Sequence, residues 1–406
     1  MKKIKNSIIV LIYTIIIGVI AGLIIWTFLK VMNLGIEFLW SYLKEKLNFK
    51  YYTIVVCLIG GIIIGLWKWK FGESPEELET VIKKIKKEKR YSYNNIFSSI
   101  GSALFPLLIG ASVGPEAGLT GIIASLCTWV GDKLKHIFKE IQDLTSIGVT
   151  VTLGTIFKSP MFGFIEPLEG EEEKKLPKTS KIVLYFTAIL SSFGIFMLLN
   201  KVVGSEIGMP STGNAVFKDI NIMYVILLTI IGILLGYIYF ISHKITKVIF
   251  QPLKNNILIK CIIGGIILGI IGTILPLTMF SGEEQIITIL ETGRNIGIVV
   301  LILTSIIKVF LTNICIESGL KGGHFFPMIF SGIALGYAFS IILNMDPVIS
   351  MAVVTSSFLA HIMKKPLAVV LLLMIVFPAN LIPLMLASSI IACLFKAPKA
   401  INTNKN

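Results

Sequence analysis

Gly110-Ala-Ser-Val-Gly-Pro115 lies inside strongly apolar sequence, and a second stretch of the same G-x-x-x-x-P form, Gly322-Gly-His-Phe-Phe-Pro327, lies in the other half of the chain. Each precedes an apolar segment, Glu116 to Val130 and Met328 to Leu343. Glycine lets the backbone approach another group closely, and proline is favoured in the first turn of a helix. Because helix N-termini carry unpaired N–H groups and partial positive charge, two helices that begin inside a membrane favour an anion between them. The pair therefore predicts an anion site.

The composition of the chain is that of a polytopic membrane protein. Its 406 residues are 55% hydrophobic and only 15% charged, and the mean hydropathy is +0.86. A soluble core does not need so much apolar sequence. Several stretches are long enough to span a bilayer or close to it. They are Ser7–Leu29, Ile182–Leu199, Ile222–Ile241 and Leu367–Phe395, the last interrupted by two prolines.

The net charge of +14 is gathered in clusters between the apolar runs. The positive-inside rule assigns such clusters, and with them both termini, to the cytoplasmic side of the cell membrane. They also attract anionic membrane lipid. No basic patch is interleaved with aromatic residues in the way that indicates a nucleic acid partner. The clusters are Lys2–Lys5, Lys83–Arg90, Lys133–Lys139, His243–Lys254 and Lys396–Lys405.

The cysteines give no sign of a metal, a cofactor or a disulfide framework. There are five, an odd number, and they are scattered without metal-ligand spacing. We expect buried free thiols, no metal site and no cofactor. Glycine pairs at Gly60-Gly61 and Gly264-Gly265 predict close packing between helices.

The chain divides into two halves at the polar stretch from Gly170 to Ser180. Each half continues from its glycine–proline stretch through an apolar segment to a second proline, Pro160 in the first half and Pro366 in the second. This repeated order predicts a duplicated membrane unit. We expect a first membrane half at 1–175, a second at 176–396 and a short cytoplasmic tail at 397–406, with no soluble regulatory domain.

Many of the apolar segments are short or interrupted by glycine and proline. Non-helical backbone at membrane depth must be buried in protein or line a polar cavity. The fold class predicted is therefore an all-α integral membrane bundle of tilted and re-entrant helices, arranged as two repeats.

Four segments resemble the CLC family of chloride channels and chloride/proton antiporters. Gly319–Gly332 is similar to the G-x-F-x-P signature of that family, and the first glycine–proline stretch resembles its G-[KR]-E-G-P motif. The segments Phe157–Glu169 and Ala360–Leu367 are similar to those that follow the two motifs. The residues that match the two motifs are Gly114, Pro115, Gly323, Phe325 and Pro327.

The resemblance implies a homodimer with a separate anion pathway in each subunit, built from two inverted halves whose helix N-termini meet at the ion. The partner would be chloride or a similar small anion, bound by backbone amides. The serine of Gly72-Glu-Ser-Pro75, a loose match to another family motif, would supply a hydroxyl for a central anion site. The implied anion-binding residues are Ser112, Val113, Gly114, His324, Phe325, Phe326 and Ser74.

The chain departs from the family at the positions that couple anions to protons. Val113 occupies the position of the gating glutamate, and Gly170 that of the inner glutamate that transfers protons. The tyrosine that closes the inner side of the pathway has no counterpart, because Tyr337 is the last tyrosine of the chain. Since valine and glycine carry no proton, passive conduction is the simplest mechanism. Glu116 is expected to cap its own helix end, or else to act as a substitute gate.

Two other functions stay open. The first is a chloride/proton antiporter whose proton carriers are unrecognised carboxylates such as Glu116 or Glu166. The second is an intramembrane serine hydrolase, because Gly110–Gly114 matches G-x-S-x-G and Ser112 could pair with His324 or His361. We favour a protein that is not an enzyme, because the sequence before Gly110 predicts an apolar helix and not the strand that this motif needs.

Overall fold

The computed structural model describes residues 2–72, 74–76, 78–88, 90–93, 95–134, 144–166, 168–169, 179–204, 208–215, 221–396 and 398. Helices make up nearly all of this part of the chain, which confirms the all-α prediction. The β pairing within these ranges is a single isolated antiparallel bridge between Gly114 and Gly323.

Nine helices are described before residue 210, and a short π-helical segment at Phe38–Leu43 joins the first two. They are α1 (Lys2–Glu37), α2 (Lys44–Leu47), α3 (Tyr52–Phe71), α4 (Leu78–Glu88), α5 (Ile96–Leu108), α6 (Glu116–Leu134), α7 (Leu144–Ile156), α8 (Pro160–Ile165) and α9 (Thr179–Val203).

Eight more helices are described after residue 220. They are α10 (Ile222–Phe250), α11 (Ile257–Ile274), α12 (Glu283–Ile296), α13 (Ile298–Ser318), α14 (Phe325–Leu343), α15 (Pro347–Met363), α16 (Pro366–Leu373) and α17 (Ile382–Leu394).

Seven segments in the described ranges are long and apolar enough to cross a membrane, while other apolar helices are shorter. The mixture agrees with the prediction that some helices enter the bilayer without spanning it. The seven segments are Ile9–Leu47, Tyr52–Phe71, Ile182–Val203, Ile222–Leu253, Ile257–Ile274, Ile298–Ser318 and Phe325–Leu343.

Helices α8 and α16, which follow Pro160 and Pro366, lie antiparallel and are joined at both ends. The Ser159 hydroxyl, at the start of α8, donates to the main-chain oxygen of Leu371 near the end of α16, at 2.8 Å. Beyond the other end of α8, the Glu169 carboxylate accepts from the N–H groups of Leu367 and Ala368, at 2.9 and 2.6 Å. Corresponding elements of the two halves therefore pack directly on each other.

Helices α3 and α11 make a second contact between the halves, and there backbone meets backbone. A Cβ atom placed on Gly61 would lie 2.6 Å from the main-chain oxygen of Cys261, and one on Gly265 would lie 2.4 Å from that of Cys57. Side-chain atoms essentially never approach a carbonyl so closely, so only glycine fits at both positions. The close packing predicted from the glycine pairs is confirmed.

Candidate functional site

The two glycine–proline stretches meet through a pair of reciprocal hydrogen bonds. Gly114 N–H donates to the main-chain oxygen of Gly323, and Gly323 N–H donates to that of Gly114, both at 2.7 Å. Helix α6 begins two residues after Gly114, and α14 begins two residues after Gly323. The bridge therefore holds the N-terminal ends of the two helices next to each other.

The Glu116 carboxylate fills the space between the two glycines. A Cβ atom on Gly323 would lie 1.9 Å from Glu116 Cδ, and one on Gly114 would lie 2.0 Å from Glu116 Oε2. On the next residue, a Cβ atom on Gly322 would lie 2.5 Å from Val113 Cγ2. No additional heavy atom fits here while the carboxylate is present, because these separations are far below van der Waals contact.

Glu116 binds the N-terminus of the helix from the other half. Its Oε1 accepts a hydrogen bond from the N–H of Phe325, the first residue of α14, at 2.8 Å. The residue is 0% exposed, and Oε2 is buried without a hydrogen-bond partner. The Glu116 carboxylate interacts with its own main-chain N–H as well as with those of Phe325 and Phe326. The bond to α14 is added to the expected interaction with α6, because the glycine bridge brings the unpaired N–H of Phe325 within reach.

Two of the amides expected to face an anion are bonded to main-chain oxygens. Val113 N–H donates to Ala111 at 2.8 Å, and Gly114 N–H donates across the bridge. In this state the Phe325 N–H donates to the Glu116 carboxylate. An anion contacting Val113 or Gly114 would have to displace an existing bond.

The other predicted residues of the second stretch pack as aromatic rings. The His324 ring lies 4.6 Å from the Phe325 ring and 5.9 Å from the Tyr239 ring, measured between centroids. The Phe326 ring stacks on Phe157 of the first half at 4.9 Å. These contacts give the start of α14 an apolar, closely packed surround.

Ser112 is bonded to a threonine of the other half. Its Oγ lies 3.0 Å from Thr312 Oγ1 on α13, and Nδ1 of His361 lies 3.2 Å from the main-chain oxygen of Ala392. A nucleophilic serine needs a base within hydrogen-bond reach. The contacts of Ser112 thus give no support to a hydrolase.

Lys308 is a functional candidate that the sequence reasoning missed. It lies on α13, is 0% exposed, and its ammonium lies 4.7 Å from the centroid of the Phe330 ring. One of its acceptors, Phe280, in turn donates its own N–H to the main-chain oxygen of Gly110, at 3.0 Å. The sequence feature that could have indicated it is a lysine in the middle of an apolar span, since charged residues at such positions are often functional. The three main-chain oxygens that accept from the ammonium are those of Thr278, Met279 and Phe280, at 3.2, 3.0 and 2.9 Å.

Acidic residues near the end of α8 bind residues at the start of α16. Glu166 is 5% exposed, and its Oε1 lies 2.7 Å from the Lys365 ammonium. That ammonium also donates to the main-chain oxygen of Glu166 at 2.7 Å. Gly170, the predicted replacement for an inner glutamate, lies outside the described residues.

The main-chain hydrogen bond of Ser74 is local and does not involve the bridge between Gly114 and Gly323. Ser74 is half-buried between α3 and α4, and its N–H donates to the main-chain oxygen of Gly72 at 3.1 Å. Within the described ranges it makes no hydrogen bond to either glycine–proline stretch. Its role in a central anion site stays a prediction.

A protein-family model matches most of the chain. The family described as voltage gated chloride channel matches residues 60–397. Among single proteins, the ion-transport protein YfeO of Salmonella newport (strain SL254) is 25% identical over 339 residues, covering 79% of this chain and 78% of the relative. YfeO of Salmonella choleraesuis (strain SC-B67) is 24% identical over the same length.

Solved structures of similar fold extend the comparison to nearly the whole chain. A CLC-type fluoride/proton antiporter superposes with a TM-score of 0.78 at 20% identity, covering 95% of this chain and 94% of the other. A slow cyanobacterial Cl⁻/H⁺ antiporter gives 0.76 at 20% identity, covering 95% and 93%. At such identities the likeness shows the fold, which confirms the CLC-type architecture expected from the sequence.

Proposed function

Because the chain belongs to the voltage gated chloride channel family, a multi-pass membrane family of anion transport, we propose that it conducts chloride or a similar small anion passively. The anion would pass between the N-terminal ends of α6 and α14. Ser112, Val113, Gly114, His324, Phe325 and Phe326, together with Ser74, are the residues proposed to line the pathway.

The observation that carries this proposal is the buried carboxylate at the start of α14. Glu116 is 0% exposed, and its charge is held by the N–H of Phe325. A helix N-terminus that stabilises a carboxylate supplies the same N–H groups and dipole to a free anion. No full positive charge is hydrogen-bonded to the carboxylate within the described residues, so an anion there would not be trapped.

The acids near the pathway support passive flow over coupled exchange. Proton coupling needs groups that take a proton from one side and release it to the other. Val113 and Gly170 have no titratable side chain and cannot carry a proton. The Glu166 carboxylate is paired with Lys365. The ion pair stabilises the Glu166 charge in place, which disfavours Glu166 as a proton carrier.

Coupled chloride/proton exchange is the second candidate, and one observation favours it. Glu116 is a titratable group at the site where an anion would bind. A group of that kind could carry a proton in one step and yield to an anion in the next.

The two candidates differ in the reversal potential of purified protein in liposomes with independent chloride and proton gradients. We expect the potential to follow the chloride gradient alone. A reversal potential displaced by the proton gradient would mean that the protein exchanges chloride for protons and does not conduct chloride passively. Absence of any chloride flux, with the protein shown to be folded, would reject both.

A substitution at Val113 tests whether this residue lines the anion pathway. Val113→Glu places a buried carboxylate beside Gly322, where the valine side chain packs. Its charge repels an anion, so we expect chloride flux to fall by about tenfold or more while the carboxylate is ionised. Initial chloride efflux from liposomes measures this.

Val113→Gln is the matched control, since it has the same size without the charge. We expect it to lose much less flux than Val113→Glu at pH values where a carboxylate is ionised. Equal flux from the two variants would mean that Val113 does not line the pathway.

We also propose the topology and assembly expected from the sequence. Both termini would be cytoplasmic, because the basic clusters lie at the ends of the chain and between its apolar runs. The two membrane halves would be 1–175 and 176–396, and two copies would form a homodimer with one pathway in each subunit. Light scattering of the detergent-solubilised protein measures the number of copies.

A further inference from the structure

We propose that the end of α1 and the turn that leads into α3 bind the headgroup of an anionic membrane phospholipid. This headgroup site lies at the end of α1 that is remote from the N-terminus of the chain, and it does not depend on the proposed anion conduction. It consists of Phe38, Tyr42, Lys46, Phe49, Lys50 and Tyr51.

The length of α3 places this turn at a surface of the bilayer. Helix α3 has 20 residues and is therefore about 30 Å long, which is the thickness of the hydrocarbon core. Its last residues include Trp67, Trp69 and Lys70, and aromatic and basic residues of this kind are typical of a membrane interface. The first residue of α3, Tyr52, and the turn before it therefore lie at the opposite interface.

The first part of the headgroup site is an exposed line of two rings and one ammonium group. Phe38 and Tyr42 are 53% and 56% exposed, and their rings stack with centroids 5.7 Å apart. Lys46 follows four residues later, and its ammonium lies 5.7 Å from the centroid of the Tyr42 ring. An ammonium in this position keeps the N–H donors that point away from the ring available to an oxygen anion.

The second part of the site repeats this arrangement after the turn. Phe49 and Tyr51 are 51% and 53% exposed, with ring centroids 5.8 Å apart, and the Lys50 ammonium lies 5.8 Å from the centroid of the Tyr51 ring. Asn48, in the left-handed conformation with φ of 38°, ends α2 and reverses the chain. Both lysine–tyrosine pairs are therefore carried at the same end of the helical hairpin.

The positive charge of the turn is not balanced by acids of the chain. Residues 44–52 contain three lysines and one glutamate, a net charge of +2. Among the side chains that the structure describes, none forms an ion pair with Lys44, Lys46 or Lys50. The positive-inside rule assigns Lys2–Lys5, at the other end of α1, to the cytoplasmic surface, so it does not account for lysines at this end. An anionic headgroup supplies the missing charge.

A phospholipid matches the apolar surface as well as the charge. Its phosphate accepts hydrogen bonds from the ammonium groups, and its acyl chains would lie along the exposed apolar side of α1. Val31 and Leu34, which precede Phe38 on that helix, are 47% and 53% exposed. A soluble anion would contact the lysines alone. The combination of rings, ammonium groups and apolar helix surface at the interface therefore favours a lipid.

The opposite side of the same segment is fixed to the protein, which makes the site rigid. Trp40 Nε1 donates to the main-chain oxygen of Leu108 at 2.9 Å, and the Tyr52 hydroxyl donates to that of Leu39. The rings of Trp40 and Tyr52 also pack edge to face. A site that is already held in its binding conformation loses less entropy when the ligand binds.

The test measures binding of phosphatidylglycerol to the detergent-solubilised full chain by native mass spectrometry. Lys46→Gln/Lys50→Gln removes two charges from exposed positions. Each lysine near an anionic lipid strengthens binding by about fivefold, so we expect the affinity of the most tightly bound phosphatidylglycerol to fall by about 25-fold. Phosphatidylcholine with the same acyl chains has no net charge. Its binding should not change, which also shows that the variant is folded.

Lys244→Gln/Lys247→Gln is the matched control, because it removes two exposed lysines from α10 that make no cation–π contact among the described residues. It should bind phosphatidylglycerol like the wild type. Lys46→Arg/Lys50→Arg keeps both the charge and the ability to lie over an aromatic ring, so it should also keep the wild-type affinity.

Two results would overturn the headgroup site. The first is equal affinity of the wild type and Lys46→Gln/Lys50→Gln for phosphatidylglycerol. The second is an equal loss of affinity in Lys244→Gln/Lys247→Gln, since the lipid would then respond only to the total charge. Chloride flux enters neither result, so the lipid site and the proposed function can each fail while the other stands.

Discussion

Lys308→Met is expected to lower chloride flux by slightly more than tenfold (about 1.7 kcal/mol). Four residues beyond Lys308 on α13, about 6 Å along the axis, Thr312 contacts Ser112 at 3.0 Å. At an effective dielectric constant of about 20, a protonated ammonium roughly 10 Å from an anion stabilises that anion by about 1.7 kcal/mol. Efflux at low chloride concentration measures the loss.

The same substitution should leave the protein folded, although it removes three charge-assisted hydrogen bonds. Each hydrogen bond contributes about 1.5–3 kcal/mol to stability. Burying the ammonium costs several kcal/mol, and an uncharged methionine does not have this desolvation cost. The two changes largely offset each other. The substitution removes the hydrogen bond from Lys308 to the main-chain oxygen of Phe280. Because the N–H of Phe280 donates to the main-chain oxygen of Gly110, that oxygen is then held less firmly. Both effects act on transport more than on stability.

Lys244→Met is the control, since Lys244 is an exposed lysine on α10. Its flux should equal that of the wild type. If Lys308→Met also keeps full flux, the buried charge contributes nothing to conduction. The hydrogen bond from Lys308 to Phe280 then has no role in positioning the first glycine–proline stretch.

Gly265→Ala is expected to give the largest loss of stability. The new Cβ would lie 2.4 Å from the main-chain oxygen of Cys57 and 3.3 Å from that carbonyl carbon. Backbone atoms cannot rotate away, so α3 and α11 must separate by about 1 Å to reach ordinary contact. Overpacking of this kind costs about 1–3 kcal/mol. Thermal unfolding in detergent, followed by gel filtration, measures it.

Gly194→Ala makes the same chemical change on α9, where no heavy atom lies within 4 Å of the added carbon. It should be neutral or stabilise the helix by up to about 1 kcal/mol. A Gly265→Ala protein as stable as Gly194→Ala would mean that the two helices are not in backbone contact.

The parts of the site that follow local rules could be predicted from the sequence. The segments expected to begin at Glu116 and Met328 are observed as α6, from Glu116, and α14, from Phe325. Glycine, proline and the apolar run after them determine such helix starts within a few residues. The family resemblance then indicated that the two starts meet.

The partners of particular groups could not be predicted, because they depend on contacts between distant segments. Glu116 binds a residue 209 positions later, in addition to the interaction with its own helix to which local capping rules pointed. The Gly114 amide, expected to face an anion, is bonded across the bridge. Lys308 was unremarkable in the sequence beyond its apolar surroundings, and only the fold brings three carbonyl oxygens to its ammonium.

The reciprocal bond between Gly114 and Gly323 also affects how the chain is made. Its two partners are separated by 209 residues, and synthesis proceeds at about 5–20 residues per second. Each newly made first half therefore waits about 10–40 s, at those rates, before its counterpart emerges from the ribosome. During that interval Glu116 has no Phe325 to bind. A chain stalled between the two glycines carries Glu116 without the amide that it binds in the finished fold.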